Sequence, residues 1–147
     1  MHRTSLLVIA GVWSLILSSV GTAAGPTTNP ARLTVATYNI NFGITDRRTL
    51  ARAIDAIRQS KADVVAIQEG NPELCGMLRT ELAKDYPHMR FYPGQRASGA
   101  AWLSKVPLNG LRIIAAKEGW FDTWMAQVKL GDQTVQLVYL HLMPTVP

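Results

Sequence analysis

The spacing of apolar and polar positions changes several times along this chain, and each change marks an element. Residues 6–20 form a mostly apolar run broken only by Gly11, Ser14, Ser18 and Ser19. Residues 33–38 are apolar and rich in β-branched side chains, which predicts a buried strand. The spacing then becomes helical over 47–60, where Leu50, Ile54 and Ile57 fall on one face. Asp46 or Thr45 stands where it can cap that helix. After the turn Lys61-Ala62-Asp63, residues 64–68 predict a second strand with Glu69 at its end.

A second helix is predicted over 72–84, with Pro72 in its first turn and Leu74, Leu78 and Leu82 repeating every four residues. Residues 87–99 read as loop around a short strand at 90–92. Short strands follow at 100–103 and 111–115, separated by Ser104-Lys105-Val106-Pro107. Residues 123–130 and 134–141 predict a hairpin turning at Gly131-Asp132-Gln133. Its first arm places Trp124, Ala126, Val128 and Leu130 on one face. Its second arm is apolar on both faces, which predicts a central strand, and it delivers His141 at its end.

Strand, helix, strand in that order implies two parallel strands joined by a right-handed crossover. The ends of both strands then share one edge of the sheet, where such sheets place ligands. Asn39 and Glu69, thirty residues apart in sequence, are therefore expected to be neighbours in space.

The N-terminus adds a second expectation. One fixed positive charge at Arg3, the apolar run, and then Gly21-Thr22-Ala23-Ala24 follow the order of a secretory signal peptide. The run is shorter than the roughly 20 apolar residues of a membrane span. On this reading residues 1–24 are removed, 25–31 form a flexible Gly/Pro/Thr/Asn leader, and 32–147 form one domain of an exported chain without a stable membrane span.

Composition changes the picture in two ways. Lys and Arg number 15 against 10 Asp and Glu, and loss of Arg3 leaves 14, a modest excess that suits a phosphate-bearing partner or an ordinary basic surface. Cys75 is the only cysteine, which excludes an intrachain disulfide and leaves core packing or a metal to stabilise the fold. Within the second helix it reads as a small buried packing residue rather than a nucleophile.

Taken from the residues, an amide, a carboxylate and a histidine at three strand ends suit metal-assisted phosphoester hydrolysis. Glu69 would offer a hard oxygen ligand to Mg²⁺, Asn39 would bind phosphate or orient that carboxylate, and His141 could move protons near neutral pH. Each also has a plainer role open to it: Asn39 in a turn, Glu69 at the N-terminus of the second helix, His141 satisfied in the core. Trp102, Trp120, Trp124 and Tyr139 could make a lipid-facing or base-stacking surface, but as strand residues they are expected in the core. His88, Arg90 and Arg96 are expected as solvated loop residues.

Four segments carry a resemblance. Thr37-Tyr38-Asn39-Ile40-Asn41, Ala62-Asp63-Val64-Val65-Ala66-Ile67-Gln68-Glu69, the strand and turn from Gly99 to Leu108, and Leu137-Val138-Tyr139-Leu140-His141-Leu142 resemble, in order and spacing, motifs of the endonuclease/exonuclease/phosphatase superfamily. The resemblance implies a deoxyribonuclease I-like α/β (α+β) two-sheet sandwich, here its N-terminal half, and a phosphodiesterase, nuclease or phosphatase activity. It implies Glu69 as ligand to Mg²⁺ or Mn²⁺, His141 and Asn39 as catalytic residues, and Asn41 and Lys105 as substrate-binding residues. Lys105 stands where the family more often has Arg.

The family's Gly-Asp-x-Asn and Ser-Asp-His motifs do not occur in these 147 residues. The resemblance assigns to them the water-activating Asp, a phosphate-binding Asn and a second His. The expectation is therefore an incomplete catalytic domain that a second chain could complete. The alternative is a non-catalytic exported binding module or a truncated gene product. Substrates left open are nucleic acid, phospholipid or a small phosphoester.

Overall fold

A computed structural model describes residues 12–15, 32–41, 47–94 and 98–142. Strands β1 (Val12–Leu15), β2 (Leu33–Asn39) and β3 (Val64–Gln68) are joined by helix α1 (Arg47–Ser60). Helix α2 (Pro72–Leu82) and strands β4 (His88–Tyr92) and β5 (Ala100–Ser104) complete the first sheet, ordered β1-β2-β3-β5-β4. Strands β6 (Asn109–Ile114), β7 (Thr123–Leu130) and β8 (Gln133–Tyr139) form a second, antiparallel sheet. β2 and β3 run parallel, as the crossover requires.

The apolar run of β3 has no alternation because both its faces are covered. Val65 and Ile67 point with Ala101 and Leu103 into a core shared with Leu50, Ile54 and Ile57 of α1 and Leu74, Leu78 and Leu82 of α2. Val64 and Ala66 point with Trp102 the other way, into a core shared with Trp124, Ala126, Val128, Leu137 and Tyr139 of the second sheet. Helices, sheet and second sheet thus stack as layers around two apolar seams. Cys75 is buried on α2, and burial pushes its thiol above the ordinary range, which keeps it unreactive.

Several expectations are corrected. The helix expected over 72–84 ends at Leu82, and Asn71 caps its start by accepting the Leu74 N–H at 2.8 Å. His88 lies in a strand, opposite Ser104. The hairpin turn is two residues long, because Gln133 pairs with Leu130 and Gly131 adopts φ +60°. Among the described residues β8 is an edge strand rather than a central one. Its second apolar face is uncovered, leaving Val138 and Leu140 51% and 55% exposed.

Val12–Leu15, within the apolar run at the N-terminus, pairs antiparallel with β2. The rest of residues 1–31, the cap positions Thr45 and Asp46, Arg96 and residues 143–147 lie outside the described residues. No helix among the described residues is long and apolar enough to cross a membrane.

Candidate functional site

The ends of β2, β3 and β8 converge. Asn39, the last residue of β2, donates from Nδ2 to Glu69 Oε1 at 2.8 Å. His141, two residues beyond β8, brings Nε2 to 3.3 Å from the same oxygen. Glu69 sits just past β3 with φ +63°, a left-handed backbone that L-residues hold only when the surroundings enforce it. Neither Glu69 nor His141 exposes more than about an eighth of its side chain, at 12% and 11% respectively.

The neighbouring glycine explains how that conformation is held. Gly70 N–H donates to the Gly99 carbonyl at 3.3 Å, and the Gly94 N–H donates to the Gly70 carbonyl at 3.4 Å. A Cβ on Gly99 would lie 1.7 Å from the Gly70 oxygen, so only glycine allows this approach. The turn after β3 is therefore fixed by backbone from the start of β5, and Glu69 with it.

The plainer readings of the three residues can now be weighed. Asn71, not Glu69, caps α2. Asn39 does both things at once: its Oδ1 accepts the Asn41 N–H at 2.8 Å, closing a turn, while its amide orients the carboxylate. Among the described residues no backbone carbonyl satisfies His141: its buried Nδ1 meets no hydrogen-bond partner there, and its ring stacks on Phe121 with centroids 3.9 Å apart and planes at 15°.

Gln68 adds a tether. Its Nε2 donates to the Leu140 carbonyl at 2.9 Å, tying the first sheet to the residue before His141. Beneath the cluster, Tyr139 is buried edge-on to Trp102 at 6.1 Å. Burial, and secondarily the Glu69 charge, push its phenol well above its ordinary range, so it stays neutral.

Asn41 is exposed at φ +44°, beside the cluster in the turn that Asn39 closes. Lys105 is not brought to the cluster. It lies at the opposite end of the first sheet, where Nζ donates to the Lys61 carbonyl at 2.9 Å and stands 3.6 Å from Asp63. The cause is strand direction: β5 runs antiparallel to β3, so the residue after β5 lands beside the start of β3. Arg90 is exposed, its guanidinium donating to the Met89 carbonyl. Trp102, Trp124 and Tyr139 are core residues as expected, but Trp120 is 66% exposed. Phe121 and Gln68 were not singled out by sequence, since neither a ring in a loop nor an amide on a strand has a local pattern that marks it.

Among the described residues no cluster of three or more His, Cys, Asp and Glu is gathered. The Glu69 carboxylate, held by the Asn39 amide, is a hard oxygen donor that could hold an ion that keeps much of its water and uses one or two carboxylates.

The sequence profile of the Endonuclease/Exonuclease/phosphatase family matches residues 36–141, and the chain belongs to that family. Its members are phosphoester hydrolases and typically use divalent metals. Solved structures with the same fold include D. rerio TDP2 humanized by 14 mutations, 22% identical with a TM-score of 0.62 over 77% of this chain and 48% of that one. A family protein from Leptotrichia buccalis C-1013-b is 16% identical, with a TM-score of 0.59 over 76% and 54%. ANGEL2, a 2',3'-cyclic phosphatase, is 15% identical, with a TM-score of 0.55 over 74% and 40%. The chain thus spans about half the length of these neighbours or less. A comparison with curated proteins found no significant match.

Proposed function

We propose that this chain carries the Asn–Glu–His part of a metal-dependent phosphoester hydrolase site. The observation that supports it most is the meeting of Asn39 and His141 on one oxygen of a strained, largely buried Glu69. In this reading Glu69 holds Mg²⁺ or Mn²⁺, which when bound supplies charge neutralisation at the phosphoryl oxygens. Asn39 holds the carboxylate in place, and Asn41 contributes to substrate binding from the rim. His141 presents its imidazole to the phosphate and takes or gives a proton there.

The substrate is a phosphoester. Among the neighbours, D. rerio TDP2 has been seen with a single-strand DNA product and ANGEL2 is a 2',3'-cyclic phosphatase. Export follows in this proposal from the apolar run and small residues of 6–24, and recovery of a chain starting near Gly25 outside the cytoplasm would test it.

A second reading, a binding module that needs another polypeptide to complete its chemistry, is favoured by one fact. Among the described residues the cluster brings one carboxylate, that of Glu69, together with an amide and an imidazole. An assay with bis-p-nitrophenyl phosphate and Mg²⁺ or Mn²⁺, beside Glu69→Ala and His141→Ala, separates the two. Hydrolysis lost in both variants supports the hydrolase. A folded chain that binds the divalent ion at Glu69 but releases no nitrophenolate supports the module.

A further inference from the structure

We propose that Trp120 is a stacking platform for a planar group next to the phosphoester, which makes nucleotides the substrate class of this site. The inference rests on reading the cluster as a phosphoester site. It starts from the link between β6 and β7, residues 115–122. The Asp122 carboxylate closes this link at its base by accepting the Ala116 N–H at 3.0 Å, and Gly119 turns it with φ +100°. The turn delivers two rings in succession. Phe121 lies flat on the His141 imidazole, and Trp120 stands edge-on to Phe121, with centroids 6.3 Å apart.

A continuous series of rings thus runs from the buried histidine to an indole that is 66% exposed. By contrast Trp102 and Trp124, which lie on strands, are buried in the seam between the sheets. Leaving a large aromatic ring in water forgoes the gain from burying it, and here the ring is exposed at the edge of the site. A nucleobase offers a π-face to such an indole whatever its hydrogen-bonding edge, so the contact selects for a base without selecting its sequence. Lys117, Glu118 and Asp122 around it carry mixed charge, which leaves ring contact rather than charge as the recognition on this side.

The test uses labelled (dT)8 in EDTA, so that binding is read by fluorescence anisotropy without turnover. The chain should bind it, Trp120→Ala should weaken binding roughly five- to tenfold, and Trp120→Phe should recover most of the loss. The same preparations are given bis-p-nitrophenyl phosphate with Mg²⁺. Hydrolysis that survives while (dT)8 binds equally well to the chain and to Trp120→Ala would overturn the platform and leave the hydrolase reading standing. Trp120-dependent binding without any hydrolysis would support the platform and count against the hydrolase. Trp120-dependent sedimentation with phosphatidylglycerol vesicles, without (dT)8 binding, would assign the ring to a lipid surface and overturn the proposal.

Discussion

Gln68 and Leu140 are 72 residues apart in sequence, yet the Gln68 amide donates to the Leu140 carbonyl at 2.9 Å. This bond joins the first sheet to the end of β8 immediately before His141. It sets where the histidine ring stands relative to Glu69, which follows Gln68 in the chain.

Replacing Gln68 by Leu should therefore act on geometry more than on stability. The lost hydrogen bond should cost about 1 kcal/mol in urea unfolding. On the hydrolase reading, displacement of His141 by even an ångström should lower kcat by roughly 10- to 100-fold. A readout independent of turnover is available, because stacking of His141 on Phe121 should shift its ring protons upfield. In Gln68→Leu these NMR resonances should move towards their unstacked positions. A variant with unchanged His141 resonances would show that β8 places the ring without the tether.

Gly99 and Gly70 make a paired prediction. Gly99→Ala forces a Cβ to 1.7 Å from the Gly70 carbonyl oxygen, so the backbone that holds Glu69 must move. The expected loss is about 2 kcal/mol or more, in the range of overpacked core sites, and divalent-ion binding at Glu69 should weaken with it. Gly70→Ala meets Cys75 Sγ at 3.5 Å, an ordinary contact. It should leave both properties within experimental scatter. Equal melting temperatures for the two variants would contradict this account of the turn.

The two cases show what the sequence could and could not reveal. Periodicity located α1, β3 and β7, because each buries one face or two against a neighbour and must repeat its apolar residues to do so. The crossover argument brought Asn39 and Glu69 to one edge, and they meet at 2.8 Å. Gly99 was invisible because its requirement arises from a carbonyl 29 positions earlier, not from its own turn. Lys105 stands at the far end of the sheet because β5 runs antiparallel to β3, a direction that adjacency along the chain does not carry. β8 looked central because two apolar faces in sequence mark a strand meant to be covered, not one that is covered by the residues described. Trp120 was expected in the core because a tryptophan close to a strand carries no sign of the loop that turns it outward.

Lys105→Ala follows from its position. Its ammonium is bonded to the Lys61 carbonyl and sits near Asp63, about two-fifths exposed, at the end of the sheet away from Glu69. The substitution should cost less than about 1 kcal/mol of stability, as for other solvent-exposed pairs. It should leave phosphodiester binding and hydrolysis unchanged. A tenfold rise in KM would return Lys105 to the substrate-binding set and would require a substrate long enough to cross the whole sheet.

Tyr86 gives the pH prediction. Its side chain is buried at 1% exposure, and the hydroxyl donates towards the Ala62 carbonyl at 3.2 Å and the Ile57 carbonyl at 3.4 Å. Burial raises its pKa above the usual 10, with the charges of Asp85 and Asp63 adding to the rise and a hydrogen bond with Ser60 opposing it. The folded chain therefore keeps the phenolic proton at a pH where the unfolded chain has lost it. In that window the native state binds more protons than the unfolded state, so the free energy of unfolding falls as pH rises. The full contribution is present below about pH 10 and is lost as pH climbs from there through the raised folded value, at up to about 1.4 kcal/mol per pH unit for one such group. Tyr139, raised in the same direction, adds to the slope. Tyr86→Phe should cost about 1 kcal/mol near neutral pH through the lost hydrogen bond, yet its stability should fall less steeply above pH 10. Urea titrations at intervals from pH 8 to 11 measure both quantities. Parallel curves for Tyr86→Phe and the parent chain would mean that the Tyr86 phenol ionises as easily folded as unfolded, which its burial between α1 and the first sheet forbids.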